Sequence, residues 1–281
     1  MRGVDRETRN FVAVIGVFAV IVAGGYCALM LYTGLSLPFS SVVSESMQHD
    51  NERSEIGVID TGDIVIVSDP SKREIQSYVE GYSTGFKTFG DYGSVIIYDR
   101  DSNKNPVIHR AIVWLDYNES TGTWSSAELS NYSNWHCNFV SDNGVQTCQW
   151  NDLRGTLIIH VNDKEATIDL NILEKKSGYL TMGDNPVTNP SFDQSFGIVD
   201  HPIDMDDIRS VPVMEIPWLG IIKLMMNGNT HVSHVPNSLP SLLMEIFLIF
   251  AALILIDVIA LHRATASMER TISSVKRWIK S

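Results

Sequence analysis

Hydrophobic positions follow two different regimes along this chain. Phe11–Tyr32 runs for 22 positions without a charged side chain, and Leu239–Leu261 is nearly as apolar, broken by Glu245 and Asp257. At about 1.5 Å of rise per helical residue, either block is long enough to cross about 30 Å of hydrocarbon. The first block also exceeds the apolar core of about 7–15 residues usual in a cleaved signal peptide, and no clear small-x-small pattern follows it. Transmembrane helices are therefore expected over residues 11–33 and 238–261.

Between these blocks the apolar residues come in short β-branched runs. Gly62–Val67, Gly93–Tyr98, Pro106–Trp114, Leu157–His160, Ala166–Leu170 and Gly178–Asp184 each read as a strand, several of them bounded by Gly/Asp turns. Residues 115–151 are polar and rich in Asn, Ser, Thr and Trp; they read as an insertion, with glycosylation sequons at Asn118 and Asn131. Pro217–Met226 is strongly apolar and reads equally as core or as a surface resting on a bilayer, with Trp218 at the interface. The expected fold is mainly β: an antiparallel, barrel-like domain over residues 34–237, anchored by two transmembrane α-helices.

Charge orients this arrangement. Arg2, Arg6 and Arg9 precede the first apolar block, and Arg263, Arg270, Lys276, Arg277 and Lys280 follow the second. The positive-inside rule then puts residues 1–10 and 262–281 in the cytoplasm and residues 34–237 outside the cell membrane. That outer segment holds 28 Asp and Glu against 13 Lys and Arg, a net −15. So acidic a surface repels phosphates and argues against nucleic acid as a partner. Cys137 and Cys148 lie in this oxidising compartment, where a disulfide is expected; Cys27 sits in the first apolar block as packing.

Chemistry enters at Ser44-Glu45-Ser46-Met47, about a dozen residues past the first apolar block. A serine is a weak nucleophile until a base takes its proton, so Ser46 needs a partner. Among eight histidines, His109 lies within a predicted strand that would fix its ring, whereas His49 sits on a turn that would hold it loosely. Asp184, in Met182-Gly-Asp-Asn-Pro186, follows a predicted strand and is placed to orient an imidazole. Taken singly, each has a structural explanation: a strand histidine is often plain core, and Gly-Asp-Asn-Pro is good turn chemistry. His231-Val-Ser-His234 has no nearby carboxylate and makes a poor metal site.

The order of the pieces carries more than any one of them. A membrane helix, Ser-x-Ser-Met, Gly-Asp-Ile-Val, a Gly-x-Val-Ile strand, Ile-His-Arg, and Tyr-Leu-Thr-Met-Gly-Asp-Asn resembles the type I signal peptidases. The His-Arg pair, where bacterial relatives carry a lysine, is similar to the archaeal and endoplasmic-reticulum branch. The resemblance covers roughly Phe11 to Leu224 and includes Ile-Pro-Trp-Leu-Gly220. It implies a β-rich domain with an apolar edge in the membrane, Ser46 as nucleophile, His109 as general base and Asp184 as the first aspartate of the Gly-Asp-Asn motif. It also implies Ser44 beside the backbone N–H of Ser46 as oxyanion donors, with neither metal nor cofactor required. The implied partners are signal-peptide-bearing preproteins, the lipid bilayer and a secretion translocon.

Three departures from the family pattern stand out. Glu45 replaces a glycine beside the nucleophile. The family's second aspartate is displaced: Pro190 occupies its position and Asp193 lies three residues on, which leaves the third triad member open between Asp184 and Asp193. The insertion at residues 115–151 is longer than the family's. Glu45 favours an alternative, a non-catalytic signal-peptide-binding or assembly subunit on the same fold; a surface protein with two anchors would leave the motif order unexplained.

Overall fold

The structure is a computed structural model, which describes residues 6–51, 53–100, 105–226 and 238–279. The histidine pair His231 and His234, along with Arg2 and Lys280, lies outside the described residues. The chain opens with helix α1 (Arg6–Thr33), followed by strands β1 (Phe39–Ser41) and β2 (Ile64–Ser68), helix α2 (Tyr78–Thr84), and strands β3 (Lys87–Thr88), β4 (Asp91–Tyr92), β5 (Val95–Tyr98), β6 (Val107–Asn118) and β7 (Thr123–Ser125). Then come β8 (Trp135–Ser141), β9 (Gly144–Thr147), β10 (Thr156–Val161), β11 (Lys164–Asp169), β12 (Gly178–Met182) and β13 (Ile208–Ile216), and finally helices α3 (Gly220–Met226) and α4 (Ser238–Ile279).

All strand pairings between these elements are antiparallel. The main sheet runs β1-β2-β13-β5-β6-β12, with β7 joined to β6, and a second sheet runs β11-β10-β8-β9. The expected barrel does not close: β1 at one end and β12 at the other are not paired with each other. The three-residue β1 gives too short an edge to carry the sheet round. Polar residues 115–151 supply β7, β8 and β9, and Cys137 on β8 is bonded to Cys148 just past β9. The second sheet packs on the main one through a shared core that includes Ile112, Leu157, Ile159, Ile168, Leu180 and Phe192.

Central strand β13 has no counterpart among the strands read from sequence. Pro212 lies in its middle, and proline donates no ladder hydrogen bond. A register shift between Pro212 and Met214 absorbs that missing donor against β2.

Helix α1 ends where Gly34 adopts φ +79°, a left-handed cap whose N–H reaches the Met30 carbonyl at 2.8 Å. Its last carbonyls are met by cations: Lys72 Nζ donates to Leu31 O at 2.8 Å, and Arg73 Nη2 donates to Tyr32 O at 3.4 Å. The foot of α1 is thereby tied to the end of β2, whose Ser68 hydroxyl also donates to the Thr33 carbonyl at 3.1 Å. Two helical stretches, Thr8–Thr33 and Ser238–Ile259, are long and apolar enough to cross a membrane. Their central windows are 0% and 6% buried, so neither is a core helix of the folded domain. Helix α4 continues unbroken to Ile279, beyond the end at residue 261 expected from sequence. Within the Pro217–Met226 segment, Gly220–Met226 folds as helix α3 with Ile221 and Leu224 buried, while Ile222 and Met225 remain exposed, as does Leu219 in the turn before it.

Candidate active site

Three segments build the site. The first carries Ser46 on a tight turn in which the Gln48 N–H bonds the Glu45 carbonyl at 3.1 Å. Met47, 1% exposed, plugs into a core with Val42, Ile59, Val65 and Val95, so the turn is anchored from below while Ser46 stays partly exposed. The Ser44 hydroxyl lies 3.2 Å from the Ser46 hydroxyl.

Strand β6 supplies the second segment. Successive side chains on a strand leave opposite faces, so His109 and Arg110, though adjacent, serve different partners. The third segment follows β12, whose register sets Met182 opposite Arg110. Chain leaving β12 therefore passes directly by the His109–Arg110 pair.

Of the two aspartates that the sequence leaves open, Asp193 meets the imidazole. His109 Nδ1 lies 2.8 Å from both carboxylate oxygens of Asp193, and the Tyr98 hydroxyl donates to Asp193 Oδ2 at 2.7 Å. His109 is 3% exposed and Asp193 0%. Burial pushes the Asp193 carboxyl upward, but the His109 charge and hydrogen bond, with Thr181 and Tyr98, outweigh it and hold the group below its ordinary value. An ionised carboxylate only accepts, so His109 carries a hydrogen on Nδ1, and in the neutral ring that leaves the lone pair on Nε2.

Asp184 does something else. Its two oxygens receive Arg110 Nε at 2.8 Å and Nη2 at 2.5 Å, and His49 Nε2 approaches at 3.4 Å. Against the opposing effect of burial, the Arg110 guanidinium holds the Asp184 carboxyl far below the usual carboxylate range. Arg110 is itself fully buried, and its Nη1 donates to the carbonyls of Thr88, Tyr92 and Gly93. This bidentate pair is a brace across the floor of the site.

The rest of the Gly-Asp-Asn motif grips the serine turn. Asn185 N–H donates to the Ser46 carbonyl at 2.9 Å, and Asn185 Nδ2 donates to the Glu45 carbonyl at 2.8 Å. Gly183 is required by close approach: a Cβ there would lie 2.4 Å from the Ser46 carbonyl oxygen. Lys164, from β11 in the second sheet, donates to the carbonyls of Gly183 and Asp184, both at 3.0 Å.

Ser44, Ser46 and His109 line one cavity of about 470 Å³, whose wall also includes Arg100, Ile108 and Asn189. Among the described residues no hydrogen bond joins the Ser46 hydroxyl to the His109 ring. The arrangement supplies a hydroxyl, an imidazole with a fixed tautomer, a buried carboxylate behind it and a second hydroxyl beside it. That set is what acyl transfer to a serine requires. Tyr98 and Lys164 were not singled out from sequence, and Asn185 appeared there only within the Gly-Asp-Asn motif, without a role; their contacts bridge 95, 19 or 20, and 139 or 140 positions respectively.

No protein-family model matches this chain, and no curated protein matches it significantly.

Proposed function

We propose that this chain is a membrane-bound serine endopeptidase that removes signal peptides from translocated preproteins, as the resemblance of its ordered motifs to type I signal peptidases implies. The observation that carries this reading is a shared cavity lined by Ser46 and His109, with the imidazole held at 2.8 Å by buried Asp193. His109 Nε2 takes the Ser46 proton and Ser46 Oγ attacks the scissile carbonyl. The Asp193 carboxylate stabilises the imidazolium, which then protonates the leaving amine; water releases the acyl-enzyme by the same route. Ser44 and the Ser46 N–H are the oxyanion donors in this reading. The two apolar helices cross the bilayer with both termini cytoplasmic, and Ser46 works just above the outer headgroups, where only bonds presented at that surface are reachable.

The test is cleavage of a preprotein in membranes by Ser46→Ala and His109→Ala chains that accumulate to normal levels. Each is expected to lose activity by about 10³-fold or more, the scale of removing one member of such a unit. Full activity in either variant refutes the role assigned to that residue. A second reading, a non-catalytic signal-peptide-binding subunit, draws on Glu45 beside the serine and on the missing Ser46–His109 hydrogen bond. It requires wild-type chain that binds a preprotein and never cleaves it.

A further inference from the structure

The cavity differs in charge from the domain that contains it. Residues 34–237 carry a net −15, yet among the described residues no carboxylate lines this cavity, and its wall includes Arg100. Arg100 follows the end of β5, one residue past Asp99, and is half-buried. Its Nε donates to the Asn105 carbonyl at 3.0 Å, which fixes the guanidinium at the base of its fork. Arg110, Arg154 and Arg209 each meet a carboxylate, and neighbouring Asp99 is engaged by Arg209. Arg100 meets none among the described residues. A guanidinium facing a cavity offers free Nη donors, and its planar fork matches a carboxylate.

From this we infer that Arg100 forms a charge-selective subsite, and that the preferred substrates carry an aspartate or glutamate in the extended segment that fills the cavity. The inference rests on the reading of the cavity as a peptide-binding active site. Substrate binding brings an acidic side chain against the Arg100 Nη atoms while the scissile bond lies between Ser46 and His109. A lysine at the same substrate position would meet the guanidinium with like charge. The acidic surface outside the cavity repels that acidic segment in general, so the contrast between cavity and surroundings confines it to one register.

The experiment uses the full chain in detergent micelles and a preprotein in which single positions, four to either side of the cleaved bond, are Asp, Asn or Lys. At one position Asp is expected to outperform Lys in kcat/KM by about 10- to 100-fold, and that ratio is expected to shrink as salt is raised. Arg100→Gln is expected to level the ratio and Arg100→Glu to invert it. A ratio near one at every position in the wild-type chain overturns the inference, as does an unchanged ratio in Arg100→Gln. The wild-type salt series keeps the test decisive if an Arg100 variant folds poorly. A second arm measures binding of the same segments to the Ser46→Ala chain. Charge selectivity in binding with no cleavage by wild type sustains the subsite and sinks the peptidase reading. Cleavage without charge selectivity does the reverse.

Discussion

Asp184 and Asp193 occupy neighbouring turns, both carboxylates are buried, and both are held below the ordinary carboxylate range, yet their removal is expected to have opposite consequences. Asp193→Asn keeps the volume and the bond from Tyr98 but turns an amide NH2 towards His109 Nδ1. The ring then satisfies that donor by carrying its hydrogen on Nε2, which removes the lone pair that the proposed mechanism uses to accept the Ser46 proton. The corresponding loss in triads of this kind is about 10⁴ in kcat, or about 5.5 kcal/mol of barrier at 1.36 kcal/mol per decade. The stability cost is smaller, about 1.5–3 kcal/mol for the lost charge-assisted bond. Asp184→Asn instead leaves Arg110, fully buried, without its counter-charge. Breaking a buried pair from one side costs about 3–5 kcal/mol, a large part of the roughly 5–15 kcal/mol that holds a domain together. The paired assay is thermal unfolding in detergent beside preprotein cleavage, with rates expressed per folded molecule. Asp193→Asn should melt near the wild type and cleave almost nothing; Asp184→Asn should melt far lower and retain substantial activity per folded molecule at low temperature. Wild-type rates from Asp193→Asn, or an Asp184→Asn chain that is stable and dead, would refute the division of labour.

Gly183→Ala should lower the cleavage rate by about 100-fold, because the added methyl pushes the Ser46 carbonyl and misplaces the nucleophile by a fraction of an ångström; an unaffected rate would show that the turn yields without moving Ser46. Stability should be greatest in mildly acidic solution. Burial pushes the Asp63 and Glu128 carboxyls up to about 7, so each binds its proton more tightly folded than unfolded, and stability rises as pH falls from about 7 toward the ordinary carboxylate value. Asp184 and Asp193, held low, contribute stability above that ordinary value of about 4 and lose it as pH falls further. Melting temperatures measured from pH 3 to pH 8 that climb steadily to pH 8 would contradict this balance. Replacing Cys137 and Cys148 by Ser removes the constraint on an 11-residue separation, which should cost about 3 kcal/mol and show as a lower melting temperature under otherwise equal conditions.

Much of the architecture was legible in the chain because its signals are local. The two apolar blocks needed only a count of residues against hydrocarbon thickness. Strands β2, β5 and the first half of β6 were visible as short β-branched runs that are buried almost throughout, and β12 as a buried apolar run ending in a Gly-Asp turn. Strand β13 was hidden because a proline inside a central strand is tolerated only where the ladder is already interrupted. Strand β9 was hidden because all four of its residues are exposed and show no alternation, whereas β8, whose burial does alternate, was read as part of a polar insertion.

By itself the sequence determined the apolar spans, the β character of the segment between them, the acidic surface and the presence of a serine and a strand histidine in a suggestive order. Which aspartate stands behind the imidazole was decided only by tertiary structure. Gly-Asp-Asn is a turn in any context, and the choice between Asp184 and Asp193 depends on how β12 registers against β6 and on which face of β6 each neighbour leaves. The same holds for the placing of Arg100 in one cavity wall with His109. Such meetings join residues far apart in the chain, and their energies come from burial and charge pairing that exist only once the sheet has formed.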